Sequence, residues 1–353
     1  MTKVVVAIDS FKGCLTSCEA NQAAAKGIRC IHPDAEVVEV PVSDGGEGFL
    51  EAFHAAIGGK LVEVTVRDPL MRPVSARYLQ KGQQAVIEVA QACGITLLSR
   101  EERNPMLTTS YGVGMLVADA VRRGAERIIV GLGGSATSDV GIGMLEALGE
   151  LGHDVRFTIA TDVRNPLCGP NGAAHVFAPQ KGASLADVLA LDERARAFAE
   201  RSARLFGYDR QDMPGAGAAG GLGYAFLQYL NADCKPGVQL LLEAVNFHKI
   251  VEDADLVITG EGSADAQTLM GKLPMGVLQQ SGAVPVCLIA GRVSDKEALL
   301  NAGFSRVECI NPVGLSLEEA MRKEVAMQNI CDTVSHIRAI NGVISYNSAL
   351  DIE

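Results

Sequence analysis

The sequence predicts an α/β protein of two domains, a doubly wound parallel sheet and an inserted α/β domain with a mixed sheet. Three observations carry that expectation. The chain has 353 residues, beyond the length at which a single hydrophobic core usually stops growing. Near both chain ends, short β-branched runs stop at Asp, Ser, Gly or Glu and give way to helix-patterned stretches, the alternation of a parallel sheet. In the middle, three strand-like runs follow one another through short turns that leave no room for crossover helices, so antiparallel pairing is expected there.

Residues 4–8 (VVVAI) form the first run, which ends at Asp9-Ser10 before an alanine-rich helical stretch through Ile28. Residues 36–42 repeat the pattern, ending in Ser43-Asp44-Gly45-Gly46-Glu47-Gly48 ahead of residues 49–57. The antiparallel candidates are residues 61–66, 74–79 and 85–89. Residues 256–259 stop at Gly260-Glu261-Gly262, residues 284–290 close on Gly291, and residues 306–310 supply a further strand. The expected domains are residues 1–60 with 245–353, interrupted by 61–244. Residues 213–223, rich in Gly and Ala, read as a hinge or closing loop.

Hydrophobic residues make up 48% of the chain and charged residues 21%, with 38 glycines, the balance of an enzyme with many backbone-shaped loops. A net charge of -11 argues against a nucleic-acid surface, because neutralising a phosphate backbone needs clustered Lys and Arg. An anionic ligand must therefore be met by local donors: backbone amides, helix N-termini and a few placed lysines. Apolar runs fall short of a bilayer span and the first ten residues do not read as a signal peptide, so a cytoplasmic location is expected. The nine cysteines lack CxxC or His-paired zinc spacing and read as reduced and mostly structural.

Five loops concentrate the chemistry. Residues 128–139 (IIVGLGGSATSD) lead a strand into a Gly/Ser/Thr loop and then a helix, an arrangement that presents backbone N–H groups to phosphate at a positive dipole end. No Gly-Lys-Ser/Thr follows, so it is not a Walker A loop. Asp44 and Glu47 lie on the glycine-rich turn of residues 43–48, where carboxylates either reach a ligand or cap the next helix. Asp9-Ser10-Phe11-Lys12-Gly13 offers a hydroxyl and an ammonium after the first strand. Asp162 follows a short strand and suits Mg²⁺ ligation or base chemistry, and Lys181 downstream suits a phosphate clamp. Gly260-Glu261-Gly262-Ser263-Ala264-Asp265, followed by Gly271-Lys272, adds two carboxylates and a lysine. The six histidines are isolated and no nucleophile elbow appears, which disfavours a hydrolase.

Along almost its whole length the sequence resembles the bacterial glycerate kinase family. The carrying segments are Asp9-Ser10-Phe11-Lys12-Gly13, residues 41–48 (PVSDGGEG), Asp68-Pro69-Leu70, Gly133-Gly134-Ser135-Ala136-Thr137, Asn165-Pro166-Leu167 and Pro179-Gln180-Lys181-Gly182-Ala183. Gly260-Glu261-Gly262 with Asp265 and Gln267-Thr268, and Gly271-Lys272 with Pro274, complete the set. The resemblance implies a flavodoxin-like doubly wound domain interrupted by a second α/β domain of mixed sheet, with the active site in the cleft between them. It also implies ATP-dependent, Mg²⁺-assisted phosphorylation of D-glycerate, giving 2-phosphoglycerate or 3-phosphoglycerate.

On that resemblance, Gly133, Gly134, Ser135 and Thr137 would cradle ATP phosphates, with Lys12 and Lys181 offsetting anionic charge. Asp162 is the first choice as base, with Glu261 or Asp265 next, and Asp44 and Asp162 are the metal candidates. Ser10, Glu47 and Asp265 would contact substrate. Two positions depart from the family pattern: Val140, where relatives commonly carry glycine, and Ser263, where they often carry arginine. A kinase of another small hydroxy acid, or a non-catalytic binding relative, is the competing expectation.

Overall fold

The computed structural model describes residues 2–11, 13–42, 48–150, 154–340 and 343–346. Lys12, Asp44 and Glu47, all expected at the site, lie outside the described residues. The chain divides into two compact units, Met1–Asp44 with Val238–Glu353, and Gly45–Gly237.

The first unit opens with β1 (Lys3–Ile8), α1 (Ser17–Ile31) and β2 (Glu36–Glu39). Thr16 starts α1 with a full capping box, its hydroxyl accepting from the Glu19 amide while the Glu19 carboxylate accepts from the Thr16 amide. The second unit follows as α2 (Phe49–Ile57), β3 (Lys60–Arg67), β4 (Pro73–Lys81), β5 (Gln84–Glu88), α3 (Ala90–Cys93), α4 (Tyr111–Arg122), β6 (Arg127–Gly131) and α5 (Ile142–Leu148). It continues through β7 (Arg156–Ala160), α6 (Ala173–Phe177), α7 (Leu185–Phe206), α8 (Ala218–Leu230) and β8 (Asp233–Lys235). The chain then returns to the first unit with α9 (Gly237–Ala244), α10 (Phe247–Val251), β9 (Leu256–Ala264), α11 (Leu273–Gln280), β10 (Val286–Val293), α12 (Lys296–Asn301) and β11 (Arg306–Cys309). It ends in α13 (Leu317–Ala320), α14 (Lys323–Ser335) and the antiparallel hairpin β12 (Ile337–Ile340) with β13 (Val343–Tyr346).

The first sheet is parallel throughout, in the order β11-β10-β9-β1-β2. Numbered by their order within this unit the strands read 2-1-3-4-5, the flavodoxin-like order, whose reversal point lies between β1 and β9. One face of the sheet packs Val4, Val6, Ile8, Ile258 and Ile289 against α1 and α14 residues such as Ala24, Ile28 and Ile330. The second sheet, β3-β4-β5-β6-β7-β8, is antiparallel across its first two pairings and parallel from β5 to β8. The α/β class and the two sheet types match the sequence expectation.

Two sequence readings need correction. Residues 260–264 are not a loop but the second half of β9, which pairs in register with β10 from Gly260 opposite Ile289 to Ala264 opposite Val293. Gly-Glu-Gly-Ser reads locally as a turn, and the ladder to β10 overrides that preference. Residues 213–223 are not a closing loop either: Ala216, Ala218 and Leu222 are buried. A Cβ at Gly220 would lie 2.0 Å from the Thr137 carbonyl oxygen, so glycine is needed there for close backbone packing rather than for mobility.

Candidate active site

Parallel sheets place ligand-handling loops at the carboxyl ends of their strands, and the described candidates fall into two clusters of that kind, one in each unit.

In the second unit the loop after β6 is built from several directions. Ala136 N donates to the Cys93 carbonyl at 2.7 Å and Ile95 N to the Gly134 carbonyl at 2.9 Å, tying the loop to α3 and its exit. Thr108 Oγ1 donates to the Ala136 carbonyl at 3.0 Å. Lys181 lies on a 3₁₀ turn, Pro179–Lys181, and is buried at 3% exposure. Its Nζ donates to Ser135 Oγ at 3.0 Å and to the Thr137 carbonyl at 2.7 Å. Burial pushes its pKa down to about 8, against the opposing pull of Cys93 and Asp139. Lys181 thus meets the loop from beneath, with two of its three donors engaged.

Asp139 anchors the far end. Its Oδ2 accepts from Ser110 N at 2.7 Å, Ser110 Oγ at 2.8 Å, Gly143 N at 3.2 Å and Thr109 Oγ1 at 3.3 Å, and its Oδ1 from Gly141 N at 3.2 Å. Met144 N donates to Ser110 Oγ at 3.0 Å. These bonds overturn one expectation: the first amides of α5 are already matched by Asp139 and Ser110 and do not face a ligand. Among the donors that remain are the amides of Gly133 and Gly134, which are part-exposed and exposed and have no acceptor among the described residues. Thr137, fully buried, contributes its carbonyl to Lys181 rather than its hydroxyl to the surface.

The segment Thr109–Ser110 is itself held by the Asp68-Pro69-Leu70 turn. Asp68 Oδ1 accepts from Leu70 N and Arg72 N, both at 2.8 Å, and the Pro69 carbonyl accepts from Thr109 N at 3.0 Å. A segment conspicuous in the sequence therefore acts two residues removed from the loop. Val140 takes φ 58°, a left-handed backbone that is strained for a β-branched residue. Val140 N donates to the Gly220 carbonyl at 3.1 Å, which helps to hold it there. Asp162 lies exposed just past the carboxyl end of β7, the strand beside β6.

In the first unit the reversal point of the sheet carries Asp9 and Glu261, each 8% exposed. Asp9 N donates to the Gly260 carbonyl at 2.9 Å and Asp9 Oδ1 accepts from Ser10 N at 2.7 Å. Glu261 accepts from Thr268 Oγ1 at 2.6 Å and lies 3.6 Å from Lys272 Nζ, which is 3.9 Å from Asp265. Burial raises the Glu261 pKa, outweighing the lowering by Thr268 and Lys272. The structure thus joins Glu261, Asp265 and Lys272 in one cluster, with Ser10 beside Asp9.

Sequence reading missed Arg292. In the β9–β10 register Glu261 pairs with Ala290 and Ser263 with Arg292, and partners two residues apart share a face. Arg292 therefore stands on the Glu261 face, beside the position where family members often carry an arginine. It is exposed and forms no ion pair among the described residues. A basic residue late in a strand gives no local signal; only the register reveals it.

Comparison with known proteins agrees with this architecture. The family model described as the glycerate kinase family matches residues 4–154 and 150–341. A Bacillus subtilis (strain 168) protein named glycerate kinase is 43% identical over 90% of this chain and 92% of its own. An Escherichia coli (strain K12) protein named glycerate 2-kinase is 40% identical over 96% and 97%. A crystal structure of an assigned glycerate kinase 2 from Salmonella typhimurium LT2 superposes with a TM-score of 0.82 at 36% identity, covering 95% of this chain and 96% of that one. With a matching fold, matching segments and identity at this level across nearly the full length, the chain belongs to the glycerate kinase family.

Proposed function

We propose that this protein is a cytoplasmic, ATP-dependent kinase that transfers the γ-phosphoryl group to the 2-hydroxyl of D-glycerate. The observation that carries the reading is the buttressed loop after β6, whose Gly133 and Gly134 amides have no acceptor among the described residues while Lys181, Asp139 and Thr108 hold the loop in place. Pre-positioned donors of this kind suit the dispersed charge of a transferring phosphoryl group.

In this reading Gly133, Gly134 and Ser135 meet ATP phosphates, and Thr137 and Lys181 hold the loop and its positive potential. Among the described residues no group of three His, Cys, Asp or Glu side chains is placed to hold a metal. Mg²⁺ is ordinarily held by one or two carboxylates together with substrate phosphates, so exposed Asp162 at the carboxyl end of the same sheet fits that role. Mg²⁺ bound there would neutralise phosphate charge. Glu261, buried with a raised pKa, is better suited than exposed Asp162 to accept the hydroxyl proton as oxygen attacks phosphorus and the bond to ADP breaks. Ser10, Asp265 and Glu47 orient the substrate hydroxyls, Lys12 offsets charge, and Arg292 meets the substrate carboxylate.

Purified protein should consume ATP on addition of D-glycerate, and phosphorus NMR should identify 2-phosphoglycerate. A 3-phosphate product would move the attacking hydroxyl, consumption only with another hydroxy acid would replace the substrate, and no consumption with any would leave a binding protein. Glu261→Gln should lower kcat by roughly 10²- to 10⁴-fold with the KM for ATP unchanged. Near-parental turnover in Glu261→Gln, with Asp162→Asn inactive, would return the base role to Asp162. Arg292→Ala should raise the KM for D-glycerate roughly 10- to 100-fold, the scale of one charge-assisted hydrogen bond, without changing the KM for ATP; equal changes in both would remove it from carboxylate recognition.

A further inference from the structure

Helices α1 and α14 pack side by side in the first unit and run parallel. Lys323 at the start of α14 pairs with Glu19 at the start of α1, a separation of 304 residues. Gly27 and Cys331 face each other further along at that same separation. A Cβ at Gly27 would lie 2.4 Å from the Cys331 carbonyl oxygen and 3.2 Å from its Cα, so the two backbones approach as only glycine permits.

Cys30 lies three residues beyond Gly27 and shares its face of α1. One helical turn therefore separates Cys30 from the point where α1 touches the Cys331 backbone. Cys30 is exposed and Cys331 buried, and both are reduced.

We propose that Cys30 and Cys331 form a redox-reversible disulfide that staples α1 to α14. The oxidant is hydrogen peroxide. The exposed Cys30 thiolate attacks peroxide oxygen, the O–O bond breaks, and Cys30 becomes a sulfenic acid with release of water. The Cys331 sulfur then attacks the Cys30 sulfur, the S–S bond forms, the S–O bond breaks, and a second water leaves. Two thiols lose two electrons and one hydrogen peroxide becomes two waters. Burial raises the Cys331 pKa, with the Cys30 and Asp332 charges adding to the effect, which fits it to the resolving rather than the attacking role. A thiol reductant reverses the bond by exchange. The cross-link closes a loop of roughly 300 residues and restricts the unfolded chain.

The test treats the full-length protein with hydrogen peroxide, blocks remaining thiols under denaturing conditions, and maps the peptides. The expected result is a Cys30–Cys331 cross-linked peptide, an intact mass lower by about 2 Da for two lost hydrogens, return of both thiols on reduction, and a higher Tm for the oxidised protein. Cys30→Ser, a substitution at an exposed position, should lose the cross-link and the rise in Tm. Recovery of Cys30 as sulfinic acid with Cys331 still alkylated, or a Cys30 bridge to a different cysteine, would overturn the proposal.

Discussion

Replacing Asp139 with alanine is expected to lower stability by about 3–5 kcal/mol, the range for breaking a buried charged hydrogen-bond network. The carboxylate accepts from Ser110 N, Ser110 Oγ, Thr109 Oγ1, Gly141 N and Gly143 N. At 9% exposure it leaves these donors little water to turn to. For a unit of this size the loss corresponds to a Tm lower by roughly 6–20 °C for the transition that reports it. Asp139→Asn should fall between, because an amide keeps one acceptor but turns N–H groups toward a donor. Catalytic loss should accompany the stability loss, since Asp139 anchors the end of the loop whose other end carries Gly133 and Gly134. A calorimetric scan in which Asp139→Ala melts within a few degrees of the parent would show that the fan of bonds contributes little.

The fold was readable where local pattern and tertiary role agree. Val4 to Ile8 are β-branched or small and end at Asp9, and the structure makes them a central parallel strand, β1, flanked by β2 and β9. The three antiparallel runs were legible from their short turns, because hairpin spacing excludes a crossover. Glycine was where reading failed. At Gly220 it answers a carbonyl 2.0 Å from the would-be Cβ, and at Gly260 it occupies a strand interior between Ile8 and Ile289. Both looked like flexibility because a sequence displays the missing side chain but not the neighbour that requires its absence.

Much the same holds for the site. Carboxyl-end segments announced themselves by composition, so Gly133, Gly134, Asp162 and Glu261 were all legible as candidates, with Glu261 standing within β9 rather than on a loop. Roles depend on distant partners. Lys181 reads as a phosphate clamp until its Nζ is found on Ser135 and Thr137, at sequence separations of 46 and 44. Arg292 acquires meaning only from its register with Ser263, and Val140 its strain only from φ 58°.

Lys181→Met is expected to lower kcat/KM roughly 10²- to 10³-fold, the cost of removing one preorganised donor from a charge-stabilising site, with a much smaller change in stability. An apolar side chain of similar length fills the buried volume and removes the cost of desolvating an ammonium, while leaving the Thr137 carbonyl one donor short. The pH dependence separates this role from simple packing. With the Lys181 pKa pushed down to about 8 by burial, the ammonium and its potential at the loop are lost as pH rises through that value, so parental activity should fall on the alkaline side. Stability moves the other way. Between about pH 8 and the ordinary lysine pKa near 10.4 the unfolded chain holds a proton that the folded one has released, so this group's contribution to unfolding free energy rises with pH. Activity falling while Tm holds or climbs is therefore the signature of a desolvated lysine that supplies charge. Lys181→Met should lack the alkaline limb near pH 8, and a limb of unchanged midpoint in that variant would assign the titration to another group.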